Sequence, residues 1–266
     1  LVIFNDTLKV EKMGKIVVIA NQKGGVGKTT TAINLASSLA VMEKRILIVD
    51  IDPQANASSG LGLDIINIDK TIYDVLLEVI PYKEAIQKTF LEYLDILPAS
   101  QDLVGAEIEM VNMMSRETRL RKVLKNAKKE YDFIFIDCPP SLNLLTVNSF
   151  TAGDSVLIPI QCEYFALEGL TQLLNTIRLI QKNLNPQLDL EGIILTMYDS
   201  RLNLSKMVEE EVRKYFGDKV YQTIISRNVR LGEAPSYGQP IISFDIHSSG
   251  AMNYMKLAEE FINAQK

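Results

Sequence analysis

The sequence predicts an α/β fold: a doubly wound, mostly parallel sheet with helices on both faces. Three observations predict it. Short apolar runs recur at Ile16 to Ala20, Arg45 to Asp50, Asp132 to Asp137, Ser155 to Ile160 and Leu190 to Thr196, and continuous runs of this length read as strands buried on both faces. Stretches with apolar residues spaced three and four apart alternate with them, which implies crossover helices. Two of the runs end in aspartate, Asp50 and Asp137, just past the strand ends where open α/β sheets hold their ligands.

Taken in order, Leu1 to Lys12 is unpatterned and is expected to be a loose tail, with Met13 the functional start and residues 13–266 a single domain. After the first strand, Gly24, Gly25 and Gly27 punctuate a loop, and Lys28-Thr29-Thr30 open a helix that runs to Ala40. The Arg45 to Asp50 strand leads into Asp50-Ile51-Asp52-Pro53-Gln54 and a small, polar stretch from Asn56 to Gly62. Thr71 to Glu78 and Pro81 to Lys88 read as short helices, Leu94 to Leu97 as a strand and Arg119 to Lys129 as a basic amphipathic helix. Beyond Asp137, Cys138-Pro139-Pro140-Ser141 forces an extended turn, because each proline restricts the residue before it. The remaining expectations are helices from about Phe165 to Lys182, Leu204 to Phe216 and Ser249 to Ala264, with a further strand from Lys219 to Ile225.

Composition narrows the function classes. The 266 residues are 47% hydrophobic, enough for a sizeable core, and no apolar run reaches the ~18 residues that a membrane span needs. Two cysteines, Cys138 and Cys162, fit buried thiols in a reduced, cytoplasmic setting rather than a disulfide framework. The single histidine, His247, precedes the last helix and reads as a surface or capping residue. A net charge of −5 means that nucleic-acid binding has to come from a local basic patch.

Strand, glycine loop and helix start form a phosphate cradle, since loop amides and helix N-terminal amides point at the same anion. The common pattern G-x-x-x-x-G-K-[ST] requires glycine at position 22, where this chain has Gln22; it carries a second lysine, Lys23, ahead of the glycines instead. This K-G-G-V-G-K-T-T segment resembles the deviant Walker A motif of the ParA/MinD family of P-loop ATPases. The resemblance implies ATP/ADP and Mg²⁺ held by Lys23, Gly24, Gly25, Val26, Gly27, Lys28, Thr29 and Thr30. It implies Lys28 at the β/γ-phosphates, Thr29 on Mg²⁺ and Asp137 holding Mg²⁺ through water. Lys23 would reach across an ATP-bound homodimer, and Asp52, outer-shell to the metal, would orient the attacking water. Asp50 is then a structural or outer-shell partner. Neither cysteine follows the ligand pattern of the related nitrogenase iron protein.

Two later segments, Tyr198-Asp199-Ser200-Arg201-Leu202-Asn203 and Arg227-Asn228-Val229-Arg230-Leu231-Gly232-Glu233-Ala234-Pro235-Ser236, resemble motifs of small, chromosomal Soj-type ParA proteins. That resemblance implies non-specific double-stranded DNA binding through Arg201 and Arg230, with Lys206 and Lys219 as further candidates. It also implies slow ATP hydrolysis stimulated by a ParB-type activator, and chromosome or plasmid partitioning on the nucleoid. The adenine is expected between the loops after Thr196 and around Arg227, with Met197 and Pro235 as candidate contacts. Two alternatives stand beside this reading. One is a MinD-like membrane-cycling ATPase, which the acidic Leu257 to Lys266 tail disfavours. The other is an orphan ParA relative that positions a protein cargo.

Overall fold

The computed structural model describes residues 13–164 and 166–265. The expected tail, residues 1–12, and the start of the helix at Phe165 lie outside the described residues. Seven strands form one sheet: β1 (Lys15–Ile19), β2 (Ile46–Asp50), β3 (Gln87–Lys88), β4 (Leu94–Leu97), β5 (Phe133–Asp137), β6 (Ser155–Gln161) and β7 (Asp189–Thr196). Their order is β3-β4-β2-β5-β1-β6-β7, parallel throughout except for the short edge strand β3.

Alternate side chains go to opposite faces, as a strand's period of two requires. Val17, Ile19, Ile48 and Phe135 meet the helices Lys28–Val41 and Ser249–Ala264 through Leu35, Leu39, Tyr254 and Phe261. Val18, Leu47, Ile134 and Ile136 meet the opposite layer, which includes the helices Arg119–Ala127, Leu144–Ala152 and Ala166–Asn183. Every residue of β2 is buried, which explains its apolar run from Ile46 to Val49. From the neighbouring strands β1 and β6 the chain leaves in opposite directions, over opposite faces. The crevice between those two strand ends is the switch point at which such sheets hold ligands.

Some local expectations need correction. Lys219 to Ile225 is not a strand of the sheet. Tyr221 and Ile225 donate to Ile193 and Leu195 of β7, but the Gln222 and Thr223 amides donate instead to the Glu260 carboxylate, so the ladder is reduced to isolated bridges. The segment Pro81 to Lys88 is helical only over Tyr82–Ala85 and then turns into β3. Helices at Leu103–Met110 and Leu144–Ala152 were not foreseen. His247 is exposed, and the cap of the last helix is Ser248, whose hydroxyl accepts from the Ala251 amide.

Candidate nucleotide site

The glycine loop leaves β1 at the centre of the sheet and is braced on the β6–β7 side. The Asn21 side chain donates to the Pro159 carbonyl of β6 at 2.8 Å and accepts from the Lys23 amide at 3.0 Å. The Thr196 hydroxyl at the end of β7 donates to the Val26 carbonyl at 2.8 Å. Gly25 and Gly27 have φ of 73° and 89°, a left-handed backbone that residues with a Cβ rarely adopt. Gly27 is also the N-cap of the Lys28–Val41 helix and has no side chain to satisfy the helix's first amides, so those donors are left for a ligand.

Lys28 is 7% exposed, and its ammonium donates to the Lys23 carbonyl at 3.0 Å. Burial pushes its pKa down, while the nearby Asp137, Cys138 and Asp52 push it back up. Lys23 points the other way: its ammonium pairs with Glu163 just beyond β6, and both side chains are about two-fifths exposed. Thr29 and Thr30 are half-buried in the first turn of the helix.

Below the loop, β2 and β5 are in register so that Asp50 and Asp137 sit side by side. The two carboxylates are treated very differently. Asp50 accepts from the Ser58 amide at 2.8 Å, the Ser58 hydroxyl at 2.7 Å and the Asp52 amide at 3.2 Å, so it braces the 52–58 loop. Burial still pushes its pKa up to about 6, against the pull of those hydrogen bonds. Asp137 is fully buried, and neither of its oxygens has a partner of good hydrogen-bond geometry; the Thr29 hydroxyl is the donor beside it. Burial and the neighbouring Asp50 raise its pKa well above the ordinary carboxylate range. A buried, unsatisfied carboxylate is costly, and a hard cation with oxygen ligands is the group that would satisfy it. Among the described residues no group of three or more His, Cys, Asp or Glu side chains surrounds a metal position. Mg²⁺ binds through few carboxylates and keeps water and phosphate oxygens. Asp52 is 8% exposed, and its Oδ1 accepts from the Gln54 amide at 3.0 Å. Cys138 and Cys162 are buried free thiols, both pushed up to about 12 by burial.

Beside the loop lies a pocket of about 490 Å³ lined by Gly27, Thr30, Thr196, Met197, Ile225 and Leu231 among others. Its size and apolar lining suit a nucleotide base. Met197 lines it, as do residues 225–229, but Pro235 does not. Pro235 is the second residue of the 3₁₀ turn Ala234–Tyr237 and lies beside Gly60. Tyr254, from the last helix, also lines the pocket; its core-like spacing within that helix gave no sequence signal for this position.

The model of a family described as an AAA domain matches residues 14–190. The chain is 58% identical over 248 residues to the sporulation initiation inhibitor protein Soj of Bacillus subtilis, covering 93% of this chain and 98% of that protein. It is 57% identical over 250 residues to the chromosome partitioning protein ParA of Myxococcus xanthus, covering 94% and 88%. The chain belongs to the ParA/Soj family of P-loop ATPases. Its fold is similar to that of cobyrinic acid a,c-diamide synthase from Mycobacterium smegmatis, a structure with bound ADP and magnesium, at a TM-score of 0.83 and 34% identity over 95% of this chain and 96% of that one.

The cationic rim of this ParA/Soj chain differs from the phosphate end. Arg201 is bound in a fork by its neighbour Asp199, Nε to Oδ1 at 2.9 Å and a terminal nitrogen to Oδ2 at 2.7 Å. The pairing lowers the Asp199 pKa to about 2. Arg230 pairs with Glu233 at 2.9 Å and Asp245 at 3.5 Å and lies over the Phe244 ring. Arg227, which the sequence reading did not single out, is exposed, and its guanidinium makes no hydrogen bond or ion pair among the described residues. It lines both the base pocket and a second cleft of about 620 Å³ that holds Tyr198, Asp199, Ser200 and Arg201. Lys206 is exposed on the Asn203–Phe216 helix. Lys219 does not join this patch. It donates to Asp189 and to the Leu190 carbonyl at the start of β7, roughly 20 Å along the strand from the end that leads to Arg201.

Proposed function

We propose that this chain is a ParA-type partitioning ATPase that binds Mg·ATP, dimerises on it, binds double-stranded DNA without sequence preference, and hydrolyses ATP when a ParB-type partner engages it. The observation that carries the reading is the buried, under-satisfied Asp137 carboxylate beneath a glycine loop, with the Thr29 hydroxyl and the buried Lys28 beside it. Phosphoryl transfer depends on positioning and charge neutralisation more than on covalent chemistry, and each part has a candidate here. Loop amides and Thr30 hold the α/β-phosphates. Lys28 exchanges the Lys23 carbonyl for the β/γ-phosphates. Thr29 and Asp137, the latter through water, hold Mg²⁺, which neutralises the charge on the phosphates. Asp52 orients the water for attack. Lys23, directed away from its own pocket toward Glu163, is free to leave that exposed pair for a partner's nucleotide. Slow turnover follows from an active site completed only in the dimer.

The DNA step rests on two-fold doubling. A monomer rim whose arginines are partly neutralised by their own carboxylates binds phosphate weakly, and a dimer doubles the number of contacts, so affinity rises steeply. Such a protein would work in the cytoplasm on the nucleoid. The last helix directs Tyr254, Leu257 and Phe261 into the core, so its apolar face is used in packing. The cargo is a replicon in the proposed reading and a protein assembly in the orphan alternative. Sedimentation with ATP, ADP or no nucleotide, combined with hydrolysis assays, tests the scheme. Asp52→Ala should hold an ATP dimer with little hydrolysis. A variant that no longer dimerises would make Asp52 structural and remove the assigned catalytic role.

A further inference from the structure

Arg230 is held from two sides. Its guanidinium pairs with Glu233 at 2.9 Å on one side; on the other it reaches Asp245 at 3.5 Å and lies over the Phe244 ring. Glu233 ends the helix Val229–Glu233, whereas Phe244 and Asp245 stand at the end of the next short helix, Ile241–Phe244. Between these two holders the chain passes through Gly238 and Ile241. At both points it is fastened to elements of the nucleotide site.

The first fastening is backbone on backbone. Gly62 and Gly238 have φ of 84° and 64°, and they press against each other. A Cβ on Gly238 would stand 2.6 Å from the Gly62 Cα, and one on Gly62 would stand 3.0 Å from the Gly238 carbonyl oxygen. Both the backbone conformation and the close approach therefore call for glycine. Gly62 closes the loop that begins at Asp50 and Asp52. The Asp50 carboxylate holds the Ser58 amide and hydroxyl, and the neighbouring Ser59 carbonyl accepts from the Gly62 amide at 2.9 Å.

The second fastening is a buried side chain. Asn34 is 5% exposed and lies on the Lys28–Val41 helix, which follows the phosphate loop. Its Nδ2 donates to the Thr30 carbonyl at 2.8 Å, and its Oδ1 accepts from the Ile241 amide at 2.7 Å. One amide group thus ties the first turn of the phosphate helix to the residue that starts the helix ending beneath Arg230.

We infer that Asn34, Gly62 and Gly238 are positioning residues that transmit the state of the phosphate site to Arg230. A shift of the 52–62 loop or of the phosphate helix moves Gly238 or Ile241, and with them Glu233 relative to Asp245. That changes how firmly the guanidinium is held by its own carboxylates. Packed backbone and a two-ended hydrogen bond form a contiguous physical link between the two sites, which such a coupling uses. The inference rests on the DNA binding proposed above and supplies the route by which ATP reaches the rim.

The test measures affinity for a random-sequence duplex with Mg·ATP and with Mg·ADP, using the full chain as wild type, Gly62→Ala, Gly238→Ala and Asn34→Ala. Alanine is the best helix former, so Asn34→Ala keeps the phosphate helix, and it decides the matter where an alanine at 62 or 238 prevents folding. ATP affinity, ATP-dependent dimerisation and basal hydrolysis should match wild type in every variant that folds. DNA affinity with ATP should fall at least ~10-fold toward the ADP level, within the range of couplings between two sites. The two glycine variants should behave alike, because they break one contact from its two sides. A loss confined to Gly238→Ala would mean local strain beside Arg230 and overturn the role of the contact. Unchanged ATP-dependent DNA binding in Asn34→Ala would overturn the inference. Loss of ATP affinity or dimerisation together with DNA binding would also overturn it, since the residues would then be merely structural. A wild type that binds no DNA in any nucleotide state would remove the proposed function itself, and the inference with it.

Discussion

The phosphate end and the cationic rim of this molecule are built on opposite plans. At the phosphate end the charged groups are buried and held by the sheet: Lys28 under the loop, Asp50 braced by Ser58, and Asp137 fixed opposite Asp50 by strand register. One of them, Asp137, is under-satisfied, with only the Thr29 hydroxyl and the Lys28 charge beside it. At the rim the guanidiniums are exposed, and Arg201 and Arg230 each lie on a carboxylate of their own segment. The first region carries an unmet electrostatic need. The second is electrostatically muted, and only Arg227 stands without such a partner among the described residues. The difference fits a protein whose affinity for nucleotide is intrinsic and whose affinity for a polyanion depends on oligomeric state.

The largest effect should come from breaking the phosphate end. Lys28→Ala should weaken ATP binding by about 100-fold, the loss expected for a charge-assisted contact in a partly desolvated site. Unchanged affinity in calorimetry would remove the cradle argument. Asp137→Asn separates stability from function. Removing a buried carboxyl whose pKa the fold raises should raise the melting temperature of the nucleotide-free protein at pH 7.5, above the unfolded-state pKa, while Mg²⁺-dependent hydrolysis is lost. A lower melting temperature would mean that Asp137 is satisfied within the fold.

At the rim, Arg230→Glu should abolish most DNA binding with ATP-dependent dimerisation intact, because a dimer loses two contacts and gains two repulsions. The slope of log affinity against log salt should flatten by about 2. The smallest and most specific effect is Asp199→Asn. It releases the Arg201 guanidinium from its fork and should strengthen DNA binding by about threefold, a change on the scale of an exposed ion pair. No gain, or a loss, would show that Asp199 orients Arg201 for phosphate rather than competing with it.

How much was legible in the sequence follows the same division. The glycine loop and its helix are contiguous in the chain, so spacing alone revealed them. The strand ends at Asp50 and Asp137 were also visible, but their adjacency depends on the pairing of strands 87 residues apart in the chain, which no local pattern encodes. The Asp50–Ser58 brace was hidden in a stretch that reads only as small and polar. Lys219 to Ile225 misled because its apolar alternation is real; a distant carboxylate, Glu260, takes the amides that a ladder needs. Pro235 lies off the pocket, in a 3₁₀ turn that carries no clear apolar period. The neutralisation of Arg201 was in plain view, two residues from Asp199, yet a motif that names the arginine does not say what holds it.

The most direct test of the central claim is DNA binding by the Asp52→Ala protein with ATP, ADP and no nucleotide, titrated against salt. The account predicts sequence-independent binding with ATP alone, with a steep salt slope that flattens in Arg230→Glu. Equal binding in all three nucleotide states, or none in any, would contradict it.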